Sequence, residues 1–246
     1  MEGKTMTEAL AVETRSFRDL RAFAEGATIP ADAQGDAFLA SRATLGLPQG
    51  PVSVSLIALP QGRGRVETLP DDEFLILLDG ALTLESSDST TQLTGNQSAV
   101  VTRGSGFTWS SRDGARLIAM RRNGSPAAAP AIIPIDESAP LEPSGAPLAE
   151  LLVGPTPSCR NFTDYRSADT EFVCGTWDST PYHRRSMPYR HYELMHLLQG
   201  SVTFVDGEGR EQTFREGDIF LVEQGAHCSW ESREHVKKVY AIYRPA

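Results

Sequence analysis

Late in the 246-residue chain, Tyr189, His191, Glu193 and Met195 stand two residues apart. Alternate side chains of a β-strand share a face, so a phenol, an imidazole and a carboxylate are expected to point the same way. Glu193 and His191 form a candidate catalytic pair, Glu193 as base and His191 receiving its proton, with Tyr189 donating a hydrogen bond. Cys228, Trp230 and Lys238 add a thiol, an indole and an ammonium. With Tyr189 they are the expected substrate contacts. His191, Glu193 and Cys228 also offer the N, O and S donors that could hold one divalent ion, zinc, manganese or iron. Each residue has a structural reading beside the functional one. Glu193 can be a buried carboxylate paired to His191, Cys228 a small core filler, and Lys238 an exposed strand-end cation.

The distribution of these residue types locates the chemistry. All five His, all three Cys and all six Tyr lie from Cys159 onward. The first half has Glu73 without any of them, so it is expected to carry no site and no transition metal, and any pocket is expected in the second half.

The elements that must position these residues follow from an internal repeat. Asp71-Asp-Glu-Phe-Leu-Ile-Leu-Leu-Asp-Gly80 reads against His191-Tyr-Glu-Leu-Met-His-Leu-Leu-Gln-Gly200 at an offset of 120, so that Glu73 falls on Glu193 and Gly80 on Gly200. Trp109 falls on Trp230 at an offset of 121. Strand-like runs at 52–59, 74–84, 98–102 and 117–121 recur at 194–205, 218–222 and 236–243, punctuated by Gly-rich turns. Short strands at regular spacing imply antiparallel barrels. The expected domains are 15–125, a connector at 126–157 rich in the chain's 16 prolines, and 158–246. Phe17, Leu20 and Phe23 are expected to line one face of a short helix.

Glu193 with Gly200, and Gly217-Asp-Ile-Phe-Leu-Val-Glu-Gln-Gly225-Ala-His-Cys228, are similar to the two cupin motifs. The first copy repeats the first motif at Glu73 and Gly80. The chain therefore resembles a bicupin, which implies an all-β fold of two tandem jelly-roll barrels of the RmlC type. Gly175-Thr-Trp177 and the closing Trp230…Lys238-Val-Tyr240 resemble, more narrowly, the cupin subfamily of (S)-ureidoglycine aminohydrolase. The positions matching that enzyme's metal shell hold Met187, Tyr189, Glu193 and Cys228, none of which agrees in type, so the resemblance implies the fold and not that reaction.

Composition excludes other classes. Lys and Arg number 23 against 32 Asp and Glu, a net charge of -9, which speaks against nucleic-acid and anionic-membrane partners. No segment approaches the ~18 apolar residues of a membrane span. The polar opening residues do not read as a secretory signal, and three cysteines are too few for a disulfide framework, so a cytoplasmic location is expected. The expected partner is a small-molecule ligand, and a homodimer is left open. Three functions remain: an enzyme, metal-assisted or metal-free, on a small nitrogenous or carboxylated metabolite; a non-catalytic small-molecule binder; and a scaffold.

Overall fold

The computed structural model describes residues 15–30 and 34–246, and expectations for the opening dozen residues fall outside that range. Among the described residues the chain runs through β1 (Phe17–Asp19), α1 (Leu20–Gly26), α2 (Ala37–Ala40), β2 (Arg42–Thr44), β3 (Val52–Leu59), β4 (Gly62–Val66), β5 (Asp72–Glu85), β6 (Thr90–Thr94), β7 (Ser98–Val101), β8 (Phe107–Ser111), β9 (Ala115–Arg122), β10 (Ile132–Pro134) and β11 (Glu142–Ser144). A 3-10 turn at Ala149–Leu151 leads to β12 (Cys159–Arg166), β13 (Phe172–Ser179), β14 (Tyr182–Pro188), β15 (Tyr192–Gln199), β16 (Ser201–Val205), β17 (Glu211–Arg215), β18 (Ile219–Val222), β19 (His227–Ser232) and β20 (Val236–Tyr243).

The strands at 52–59 and 236–243 begin and end where the apolar runs do. The expected strand at 194–205 is two strands, divided at Gly200. Gly200 has φ +78, and a Cβ there would sit 2.2 Å from the His235 carbonyl oxygen, so only glycine can make this break. Phe17 lies in a strand rather than on the expected helix, which begins at Leu20 behind an Asp19 cap.

Each half packs a larger sheet on a smaller one, as the jelly-roll expectation requires. In the first half β5 serves both, pairing with β7 and β9 through its first part and with β6 and β8 through its last. In the second half β18-β15-β20-β13-β12 forms the larger sheet and β14-β19-β16-β17 the smaller. Odd residues of β15, and of β5 before its bulge between Leu77 and Asp79, face the barrel interiors (Met195 and Leu197; Leu75 and Leu77). Even residues (Phe74 and Ile76; Leu194) enter a third cluster that joins the two halves.

The halves are bound by more than apolar burial. β1 pairs with β18, so a strand from the span expected for the first barrel extends the second barrel's sheet. In the connector, β10 pairs with β7 and β11 with β12. Tyr165 donates its hydroxyl to the buried Asp72 at 2.7 Å, and Arg122 reaches Asp169 at 2.9 Å and Glu171 at 2.6 Å. His196 is buried in β15, opposite in parity to Glu193; burial, aided by Arg21, lowers its pKa to about 4.

Candidate functional site

The two barrels start from the same pattern and close differently. In the first, Glu73 is fully buried and both its oxygens are taken: Arg42 donates at 2.7 and 3.0 Å and Arg121 at 2.6 Å. Burial alone would raise this carboxyl, but the two guanidinium groups hold it below its usual range. Helix α2 then plugs the interior. Asp36 caps it by accepting from the Phe38 amide at 2.9 Å and also accepts from the Trp109 indole at 2.9 and 3.0 Å. Phe38 is driven wholly into the core, edge-on to Phe107 at 5.1 Å.

In the second barrel the corresponding space is open. A cavity of about 690 Å³ is lined by Tyr189, His191, Glu193, Trp230 and Lys238, with Trp177, Tyr182, Met187 and Tyr240 among its other walls. Connector residues Ser144–Leu148 and Leu151 also border it, so the Pro-rich segment lies at this cavity. Strand parity places Glu193 inward from β15. Register sets Lys238 of β20 opposite Leu197, on the neighbouring strand. The first-barrel residue in that register is Leu117, opposite Leu77, which is why no ammonium reaches Glu73.

Lys238 donates to Glu193 Oε1 at 2.7 Å and to the Met195 sulfur at 3.1 Å, and its ammonium lies 4.8 Å from the Trp177 ring centre and 5.1 Å from that of Trp230. The His191 Nε2 lies 3.2 Å from Glu193 Oε2. Burial opposes ionisation of Glu193, but Lys238 and then His191 outweigh it and hold the carboxyl far below the usual carboxylate range. An ionised carboxylate only accepts, so His191 is the donor of this contact, from Nε2. Trp230 stacks on Tyr182 at 5.6 Å, completing an aromatic wall.

Cys228 follows its structural reading as a core filler and not the ligand or substrate-contact one. It is fully buried in the apolar cluster with Tyr189, Met195 and Trp230, and it does not line the cavity. Burial pushes its thiol up to about 12, so it is a protonated filler rather than a thiolate ligand or nucleophile. The expected donor set His191, Glu193 and Cys228 therefore does not converge, and among the described residues no group of three His, Cys, Asp or Glu side chains could hold a metal ion. An ammonium already sits on the first oxygen of Glu193. The side chains present do not fit a divalent ion.

Arg184 stands in the basic run His183-Arg184-Arg185, a pattern that fits either a solvated cluster or a contact for an acidic substrate; it is 4% exposed and lines the cavity. Arg184 donates from Nη2 to the Tyr189 hydroxyl at 2.9 Å, and its guanidinium lies 5.3 Å from that ring's centre. Its register opposite the inward Trp230, which only the folded sheet sets, turns it to the cavity.

A chain built of two facing-sheet barrels, one plugged and one hollow, has the architecture of a cupin. A family model for EutQ-like cupin domains matches residues 166–240. A crystal structure from Pseudomonas syringae pv. tomato, of a protein with unknown function belonging to the DUF861 family, is 29% identical with a TM-score of 0.77, over 89% of this chain and 96% of that one. The cupin 2 conserved barrel domain protein from Leptotrichia buccalis is 11% identical with a TM-score of 0.59, covering 95% and 98%. Protein Ylba of E. coli, also of the DUF861 family, is 12% identical with a TM-score of 0.58, covering 97% and 96%. No curated protein matches the chain. The fold is the all-β cupin jelly roll.

Proposed function

We propose that the chain is a bicupin whose second barrel binds a small polar metabolite and moves a proton on it without a divalent metal. The observation that carries this reading is the Glu193 carboxylate held between the Lys238 ammonium and the His191 imidazole on the wall of the cavity. A carboxylate so strongly held in its ionised form is a weak base. Glu193 therefore orients its two neighbours, fixing the His191 tautomer much as the buried acid of a hydrolase triad does. His191 Nδ1 takes the proton and Lys238 stabilises negative charge that develops nearby. The ureidoglycine aminohydrolase-like part of the resemblance is carried by Trp230, Lys238 and Tyr240, which line the cavity, and not by any metal shell. Three free, buried cysteines fit a reducing cytoplasm. Among the described residues no helix is long and apolar enough to cross a membrane.

The strong hold on Glu193 also favours a second reading, a pocket that binds without turnover. A thermal-shift screen of small polar metabolites on chelator-treated protein separates them. The proton-transfer reading expects a hit that is converted, with chelator making no difference and His191→Gln lowering turnover by about 10²–10⁴-fold. Hits that stabilise the protein but are never consumed favour the binder. Turnover that requires added metal overturns the metal-free reading.

A further inference from the structure

Arg184 is a buried cavity residue that the proton-transfer site leaves without a task. The residue is 4% exposed and lines the same cavity as Glu193 and Lys238. Among the described residues no carboxylate pairs with it, although Arg18, Arg42, Arg121, Arg122 and Arg160 all have acidic partners. Its interactions are the hydrogen bond to the neutral Tyr189 hydroxyl and the stacking on that ring, while its Nη1 is buried with no hydrogen-bond partner. Removing a charge from water without a counter-charge costs several kcal/mol, so buried guanidinium groups are found paired. This one stands unpaired at the wall of a cavity.

Tyr189 completes a recognition pair. Its oxygen accepts from Arg184 Nη2, so its own hydroxyl hydrogen remains to be given away, and burial pushes the phenol above its usual range and keeps that hydrogen in place. A guanidinium N–H beside a phenol O–H matches the two acceptor oxygens of a planar carboxylate. The walls fix the rest of the ligand. Tyr182 and Trp230 stack beside Arg184 in the strand register, and Trp230 continues to the Lys238 ammonium. A flat body can lie on these rings between the two cationic ends. The nearby Glu193 carboxylate disfavours a dianion such as phosphate.

We propose that Arg184 and Tyr189 form a carboxylate-binding subsite, and that the ligand of the second barrel is a small monocarboxylic acid with a flat body whose reacting end is presented to Lys238, Glu193 and His191. This rests on the proposed placement of the ligand pocket in the second barrel, and it adds which chemical class that pocket selects.

Benzoate and its neutral isostere benzamide provide the test, read by quenching of the cavity tryptophans and by thermal shift. Benzoate is expected to bind saturably at least tenfold more tightly than benzamide, and Arg184→Met to erase that preference while leaving benzamide unaffected. Arg184→Met is also expected to melt no lower than the wild type without ligand, because a charge lacking a counter-ion has been replaced by an apolar chain. Arg184→Lys guards against a folding defect: it keeps the charge, loses the fork, and should retain part of the preference. Equal response to the two probes, or an undiminished preference for benzoate in Arg184→Met, overturns the proposal. Because this is a binding preference read without turnover, it can fail while metal-independent proton transfer stands, and the reverse.

Discussion

Replacing Lys238 by Met tests whether the ammonium is what makes a buried carboxylate tolerable in the second barrel. The side chain keeps nearly the same length and loses its charge. Glu193, itself 7% exposed, would then face His191 without the donor now 2.7 Å from Oε1. Breaking a buried pair by removing one partner costs about 3–5 kcal/mol. At about 2–4 °C per kcal/mol for a chain of this size, the melting temperature should fall by roughly 6–20 °C. The pH dependence carries the diagnosis. In the wild type the Glu193 carboxyl titrates below its unfolded value, so the stabilisation is fully present above that value and is lost as pH falls through the folded one. Without Lys238, burial dominates and the folded carboxyl should titrate above the unfolded value; the penalty is then largest at neutral pH and is relieved by acid. Denaturant unfolding of both proteins from pH 8 to pH 4 should show the gap narrowing as pH falls, and adding Glu193→Gln to Lys238→Met should recover much of the loss. A gap below about 1 kcal/mol that does not change with pH, the size of an exposed pair, would refute the reasoning.

Phe38→Ala should remove the plug of the first barrel at a cost of about 3–5 kcal/mol by calorimetry or urea unfolding, with ligand binding in the second barrel unchanged. Tyr165→Phe deprives the buried Asp72 of a donor between the halves and should cost about 1–3 kcal/mol, read as a lower urea midpoint. His196 is held neutral to about pH 4, so between pH 6.5 and 4 the unfolded chain takes up a proton that the folded one refuses. Stability relative to His196→Leu should therefore fall by up to about 3 kcal/mol across that interval, and a difference that stays level would count against this account of its burial.

The strand pattern was legible because period-2 alternation and glycine turns are local signals. Strand parity accounts for Glu193 alone, because β15 begins at Tyr192 and leaves Tyr189 and His191 in the segment before it, while Lys238 and Trp230 belong to the closing motif. Three features were not legible. The pairing of Phe17–Asp19 with β18 joins residues some 200 apart, and a three-residue strand carries no periodicity. Arg184 sits in a run of basic residues, where charge suggests solvent, and only its register opposite Trp230 turns it inward. Cys228 has the inward parity of Trp230 yet lies in the apolar packing, since parity gives a face and not the depth of the space in front of it. The repeat correctly paired Glu73 with Glu193 but could not show that two arginines and Phe38 fill one interior while the other stays hollow.

The central claim is a metal-free site held together by Lys238, Glu193 and His191, and elemental analysis of purified wild type and Glu193→Gln after incubation with zinc, manganese and ferrous iron tests it most directly. The account predicts metal well below one equivalent in both proteins, with no difference between them, because the first carboxylate oxygen is already taken by an ammonium. One equivalent of tightly held metal in the wild type that disappears in Glu193→Gln would contradict it.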